Sequence, residues 1–181
     1  MSAGAIGSGT PDLAGLLRAM ARNNAWANER LLGACAELTE AEFGAPRVSF
    51  FPSLRATLNH SLGVDLYYLD ALEGRPAPGG LPDHAAPAEL RAAQAEADAR
   101  LVALCDGLAP GDLGREVVTW RDGPYPERLD ALLAHLFQHQ IHHRGQAHAM
   151  LAGTRVAPPQ LDEFFLDYDR HPSAAARWAA R

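Results

Sequence analysis

Apolar residues recur at helical spacing in four long stretches of this chain, separated by connections rich in Pro and Gly. In the first, Leu13, Leu16, Leu17, Met20, Ala27, Leu31 and Ala34 mark one helix running to about Glu37. Its start is placed at Thr10-Pro11-Asp12, with Thr10 as cap and Pro11 at the first helical position. Thr39 and Glu42 match a capping box and predict a short capped turn. The second helix is expected from Ser53 to about Gly74. Leu58, Leu62, Leu69 and Leu72 make one of its faces, and Val64, Tyr67 and Ala71 the opposite one. Such a helix is buried on both sides, by its own neighbours and by a second subunit.

The third helix opens at Pro87, carries Leu90, Ala97, Leu101, Leu104 and Leu108 in a near-heptad rhythm, and ends at Gly107 and Ala109-Pro110-Gly111. Glu116-Val117-Val118-Thr119-Trp120 followed by Asp122-Gly123 reads as a small hairpin or an extended loop. Pro124 and Pro126 in its second half predict little sheet. The fourth helix is expected from about Pro126 to Leu151, with Gly153 as its stop. The segment from Pro158-Pro159 to Tyr168 then wraps back, anchored by Leu161, Phe164, Phe165 and Leu166. Four long helices with short connections predict an all-α four-helix bundle, a single domain over residues 1–181 with its core over about 11–168.

Composition narrows the function classes. The 181 residues are 48% apolar, enough for a sizeable core, and carry a net charge of −6 with no Lys/Arg-rich block, which argues against nucleic acid as a partner. No run of about 18 apolar residues occurs, and the N-terminus lacks a charged region followed by an apolar run. The expectation is a cytoplasmic protein with no membrane partner. Cys35 and Cys105 lie far apart in apolar helical patterns and read as buried thiols, a single disulfide being the alternative.

The candidate chemistry lies in the fourth helix, which holds His135, His139, His142, His143 and His148. Turned at about 100° per residue, Leu132, Leu136, Ala147 and Met150 form one stripe, and His139 and His143 fall within it, one turn apart. That spacing presents two imidazoles to one metal ion. It is equally the spacing of two core histidines bonded to carbonyls and water. His135, at the edge of the stripe, makes a competing pair with His139; His142 and His148 lie further round. A catalytic metal site usually has three protein ligands and an open position. His60, which shares a facet of the second helix with Val64, Tyr67 and Ala71, is the best third candidate, although a lone histidine there also reads as structural. His84 and His171 have no helix to position them.

The run His139-Gln140-Ile141-His142-His143-Arg144-Gly145-Gln146 resembles the H-x-x-x-H-R-G-Q signature of the DinB/YfiT-like family of candidate metalloenzymes, which shares only a name with the DNA polymerase also called DinB. Asn24-Ala25-Trp26-Ala27-Asn28-Glu29-Arg30-Leu31-Leu32 resembles the family's first-helix pattern, and Leu58-Asn59-His60 with Asp65 its second-helix segment. Val156-Ala157-Pro158-Pro159-Gln160-Leu161-Asp162 is similar to its usual exit from the last helix. The similarity runs from about Leu13 to Tyr168.

The resemblance implies a bundle in which His60, His139 and His143 bind one divalent metal, zinc or nickel first, with iron and copper also suited to imidazole. It implies a homodimer, and a small-molecule substrate handled with a low-molecular-weight thiol by S-transfer or isomerisation. A metal-dependent hydrolase is the alternative within enzymes; a non-catalytic, metal-binding stress-response bundle is the alternative outside them. Asp65, Tyr67 and His142 are candidate polar helpers. Gly145 is read as a site of close helix packing, and Arg144 and Gln146 as bonds to neighbouring helices.

Overall fold

The structure, a computed structural model, describes residues 12–76, 80–120 and 122–162. Among them are five α-helices and one two-stranded sheet: α1 (Leu13–Cys35), α2 (Glu40–Gly44), α3 (Leu54–Leu72), α4 (Pro87–Asp106), β1 (Glu116–Trp120), β2 (Pro124–Arg128) and α5 (Leu129–Leu151). The protein is therefore predominantly helical. Each long helix packs against two others, α1 and α3 both lying against α4 and α5. One continuous core, including Leu31, Leu62, Leu69, Leu101, Leu133 and Leu136, draws on all four.

Local chemistry sets the boundaries. α1 is capped by Asp12, whose carboxylate accepts from Gly15 N at 2.8 Å, and not by Thr10; Thr10 and Pro11 lie outside the described residues. Thr39 and Glu42 form the reciprocal capping box that opens α2. Ser53 caps α3 through Ala56 N. α3 ends in a Schellman motif: Gly74 N donates to Ala71 O, Arg75 N donates to Asp70 O, and Gly74 sits at φ 70°, where a Cβ would be strained.

The hairpin is more complete than Pro124 and Pro126 suggest. Five residues pair on each strand, with Trp120 opposite Pro124 and Val118 opposite Pro126. Trp120 N donates to the Tyr67 hydroxyl at 2.9 Å, and that hydroxyl donates to Trp120 O at 2.6 Å, so both backbone groups of Trp120 face away from β2. Antiparallel pairs alternate between bonded and non-bonded, which puts both prolines at non-bonded positions where no N–H is required. In consequence α5 starts at Leu129 rather than near Pro126. Its first donors are met by the preceding chain, Leu129 N by Arg115 O and Asp130 N by Leu113 O.

The second apolar face of α3 is half-covered within the chain. Val64, Tyr67 and Ala71 are partly buried and pack against the core, while Leu81 closes over Gly63, where an added Cβ would lie 2.7 Å from Leu81 Cδ2. At the other end of the chain, His148 Nε2 donates to Pro159 O and Leu161 packs on Trp26 and Ala27. The other anchors, Phe164, Phe165 and Leu166, lie outside the described residues, as does His171. Cys35 and Cys105 are both buried and free, with burial pushing each thiol up to about 12. No described helix is long and apolar enough to cross a membrane.

Candidate metal centre

α3 and α5 pack side by side, which brings His60 from one against His139 and His143 from the other. One nitrogen of each ring lies within 4.8 Å of the others. His60 Nε2 and His139 Nε2 are 3.2 Å apart. The ring centroids are 5.1 Å apart for His60–His139, 4.8 Å for His60–His143 and 4.3 Å for His139–His143. Two nitrogens on a tetrahedral zinc at ~2.0–2.1 Å stand about 3.3 Å apart, so the cluster is close to the spacing of a shared ion.

Electrostatics keeps the rings neutral. Burial, then the neighbouring imidazoles His143, His60, His135 and His142, pull His139 down to about 3. Burial and His143 lower His60, and burial and His142 lower His143. A neutral imidazole offers one lone pair, the form a metal requires. His143 Nδ1 donates to Gln146 Oε1 at 2.8 Å, which fixes the tautomer and leaves Nε2 as the acceptor. Gln146 Nε2 in turn donates to His142 Nε2 at 3.1 Å. His139 Nδ1 is buried with no partner, and the only polar contact of this ring among the described residues is His60 Nε2. One nitrogen of each ring turns toward the other two, with only the His60–His139 contact between them; the residues present fit a divalent cation.

Phe51 shields the cluster, with its ring 4.5 Å from His60 and 5.6 Å from His143. The loop before α4 holds the other flank: Asn59 Nδ2 donates to His84 O at 3.0 Å, and His84 N donates to Asn59 Oδ1 at 2.8 Å. The role of Phe51 was not read from sequence, where its only trace is the Phe50-Phe51-Pro52 run ahead of the Ser53 cap.

A sequence profile of the DinB family matches residues 12–172. The chain belongs to the DinB family. None of the curated proteins matches it.

In this DinB-family chain the remaining candidates resolve individually. His135 is exposed, its ring 6.1 Å from His139 and outside the cluster. His148 holds Pro159, and His84 contributes its backbone. Tyr67 is occupied by Trp120. Gly145 does not allow close packing, since a Cβ there would meet nothing within 4 Å. Gln146 bonds to histidines of its own helix and not to a neighbouring one.

Arg144 does bond to a neighbouring helix, in a network that sequence reading left unassembled. Its guanidinium donates to Asn24 Oδ1, to Asn28 Oδ1 at 2.9 Å and to Gln140 Oε1 at 3.4 Å. Asn24 and Asn28 each donate to Asp98 Oδ1, at 3.1 and 3.0 Å. Gln94 donates to Asp65 Oδ2 at 2.8 Å and Gln140 donates to the same oxygen. Asp65 thus serves this network, its hydrogen bonds running to Gln94 and Gln140. Burial and the nearby Asp98 raise Asp65 to about 8, and burial raises Asp98 to about 6. Both shifts favour one proton held by the Asp65–Asp98 pair, which leaves a single carboxylate charge against Arg144.

Proposed function

We propose that this chain is a divalent-metal-dependent enzyme acting on a small molecule, built on a four-helix bundle, with His60, His139 and His143 as the metal ligands. The observation that carries the reading is the convergence of three neutral imidazoles with no carboxylate among them. Such a donor set leaves a bound ion its full double charge, with positions left over for substrate. The ion supplies Lewis acidity, stabilising the anion of a thiol or of water and polarising a carbonyl. The chain's own part is to hold the rings: Gln146 sets the tautomer of His143, and Phe51 excludes water from one side.

The family resemblance leads us to thiol-dependent S-transfer or isomerisation ahead of hydrolysis, with zinc or nickel as the ion. A cytoplasmic location is part of the proposal and accords with the free, buried Cys35 and Cys105. A homodimer is part of it as well; sedimentation at micromolar concentration is its test, and a clean monomer refutes it. The central experiment is metal analysis of protein purified without an affinity tag, followed by a screen of thiols against small electrophiles. Stoichiometric metal and metal-dependent turnover are expected. Equal activity in metal-free and metal-loaded protein overturns the catalytic role, and bound metal with no turnover across a broad panel favours the non-catalytic metal-binding alternative.

A further inference from the structure

Two cavities flank the three histidines, and their walls differ in chemistry. On the His142 side a space of ≈ 600 Å³ is lined by Arg47, Ser49, His142 and Gln146 among others. On the His139 side a space of ≈ 390 Å³ lies between α3, Leu81 and the His135–His139 turn of α5. Among the described residues, no Asp, Glu, Lys or Arg lines this second cavity. Its one phenol at the hairpin, Tyr67, already donates to Trp120 O and accepts from Trp120 N, which leaves it no strong bond to offer a ligand. The walls are otherwise Val64, Leu81, the Tyr68 ring and, at the rim, the exposed His135, and the imidazole of His139 stands at the inner edge.

The cavity is braced, not incidental. Leu81 reaches α3 only because residue 63 is glycine; any Cβ would lie 2.7 Å from Leu81 Cδ2. The segment carrying Leu81 is pinned on its far side by the Asn59–His84 bonds and by the Arg55–Asp83 pair at 2.7 Å. Leu81 nevertheless remains 68% exposed, an apolar surface that a ligand would cover. An anionic group placed here would meet no Lys or Arg among the described residues and only the imidazoles of His135 and His139, whereas an uncharged apolar group would cover Val64 and Leu81.

We propose that this cavity is a ligand site for a small, uncharged aryl or alkyl group, presented to the histidine cluster at His139. The proposal names a substrate class and rests on the metal-enzyme reading for its functional meaning, but ligand binding is testable without metal. The probes are 4-fluorobenzyl alcohol and 4-fluorobenzoate, followed by ¹⁹F NMR on the metal-free full chain. The alcohol should bind saturably and the carboxylate at least about tenfold more weakly. Val64→Trp, which fills the space, and Leu81→Ala, which removes an exposed wall and cannot be expected to unfold the chain, should each weaken the alcohol, the first by about tenfold or more. Arg47→Ala, in the other cavity, should leave it unchanged.

Added cobalt(II) should then speed relaxation of the bound fluorine in wild type and not in His139→Ala. Equal binding of alcohol and carboxylate, or loss of binding in Arg47→Ala with none in Leu81→Ala and Val64→Trp, overturns the proposal. Cobalt uptake with no effect on the bound probe overturns the placement beside His139. Saturable alcohol binding with no cobalt uptake supports the cavity as an apolar site and overturns the metal reading.

Discussion

Helix α5 feeds two polar clusters from adjacent residues, and they are finished in opposite ways. Gln140 and Arg144 point into the network with Asn24, Asn28, Asp65, Gln94 and Asp98, where the guanidinium, both asparagines and both glutamines find partners and Asp65 Oδ1 alone is left over. His139 and His143, one residue back, meet His60 with one nitrogen of each ring turned toward the others. The first cluster is closed by the protein itself. In the second, among the described residues, only His143 has a partner on its outer side, Gln146. A buried polar group without a partner costs roughly 1–3 kcal/mol, and each cluster holds one such atom, Asp65 Oδ1 and His139 Nδ1. What separates them is that the first has donors and acceptors of both kinds to pair with each other, whereas the second gathers three imidazoles of one kind, a set suited to a cation.

The largest expected effect follows from breaking the closed cluster. Arg144→Leu leaves Asp98 buried without its counter-ion and removes bonds to both asparagines, and should destabilise the protein by about 3–5 kcal/mol. Urea unfolding measures it. A loss under about 1 kcal/mol would mean that the network contributes no more than an ordinary surface contact.

Breaking the open cluster should do the reverse. His139→Ala removes a half-buried ring whose Nδ1 has no partner, so metal-free stability should stay within about 1 kcal/mol of wild type. Metal affinity should fall by more than about 100-fold, beyond the effect of losing an outer partner. Competition with a chromophoric chelator gives the affinity and a thermal melt gives the stability. A large loss of stability without metal would make the histidines core residues after all.

The two clusters were unequally legible in the sequence. The histidine pair announces itself by i, i+4 spacing on an apolar stripe; His60 stood out as the third candidate on its facet with Val64, Tyr67 and Ala71, and the resemblance around Leu58-Asn59-His60 implied its role as a ligand. The closed network is also written in i, i+4 pairs, Asn24/Asn28, Gln94/Asp98 and Gln140/Arg144, but amides and carboxylates at that spacing look like a solvated helix face. The available signal was position: Gln94 completes the seam of Leu90, Ala97, Leu101, Leu104 and Leu108, a place an apolar residue should occupy, and it is only 4% exposed. Helix boundaries were legible where caps are local, as at Ser53, Thr39 and Gly107. The hairpin was under-read because the cost of proline depends on which ladder positions are bonded, a matter of pairing register that one strand alone does not reveal.

A smaller effect sharpens the boundary between the clusters. Gln146 touches the open cluster from outside, so Gln146→Leu should release the tautomer of His143 and weaken metal binding by about 10–100-fold. Gln146→Glu retains the acceptor and should restore most of the affinity. If both variants match wild type, the Gln146 bond is not what orients the ring.

The last effect is a pH slope, small per unit of pH, and it tests whether Asp65 is the neutral acid of the closed cluster. Its folded pKa, raised to about 8 by burial and Asp98, lies above that of the unfolded chain, so the native state binds the extra proton. Stability due to this group is therefore complete below about pH 4 and is lost as pH rises toward 8. The three histidines, lowered on folding, act with the opposite sign: their contribution is lost as pH falls below the unfolded value near 6.5. Comparing wild type with Asp65→Asn cancels the histidines, because both proteins carry them. Asparagine keeps an oxygen for Gln94 and Gln140 but cannot ionise, so between pH 5 and 8 the variant should gain on wild type by up to about 1.4 kcal/mol per pH unit. Urea unfolding of the two proteins at pH 5, 6.5 and 8 reads the difference. A constant offset would mean that Asp65 ionises in the fold as it does in the open chain, and that Arg144 faces two carboxylates where charge balance requires one.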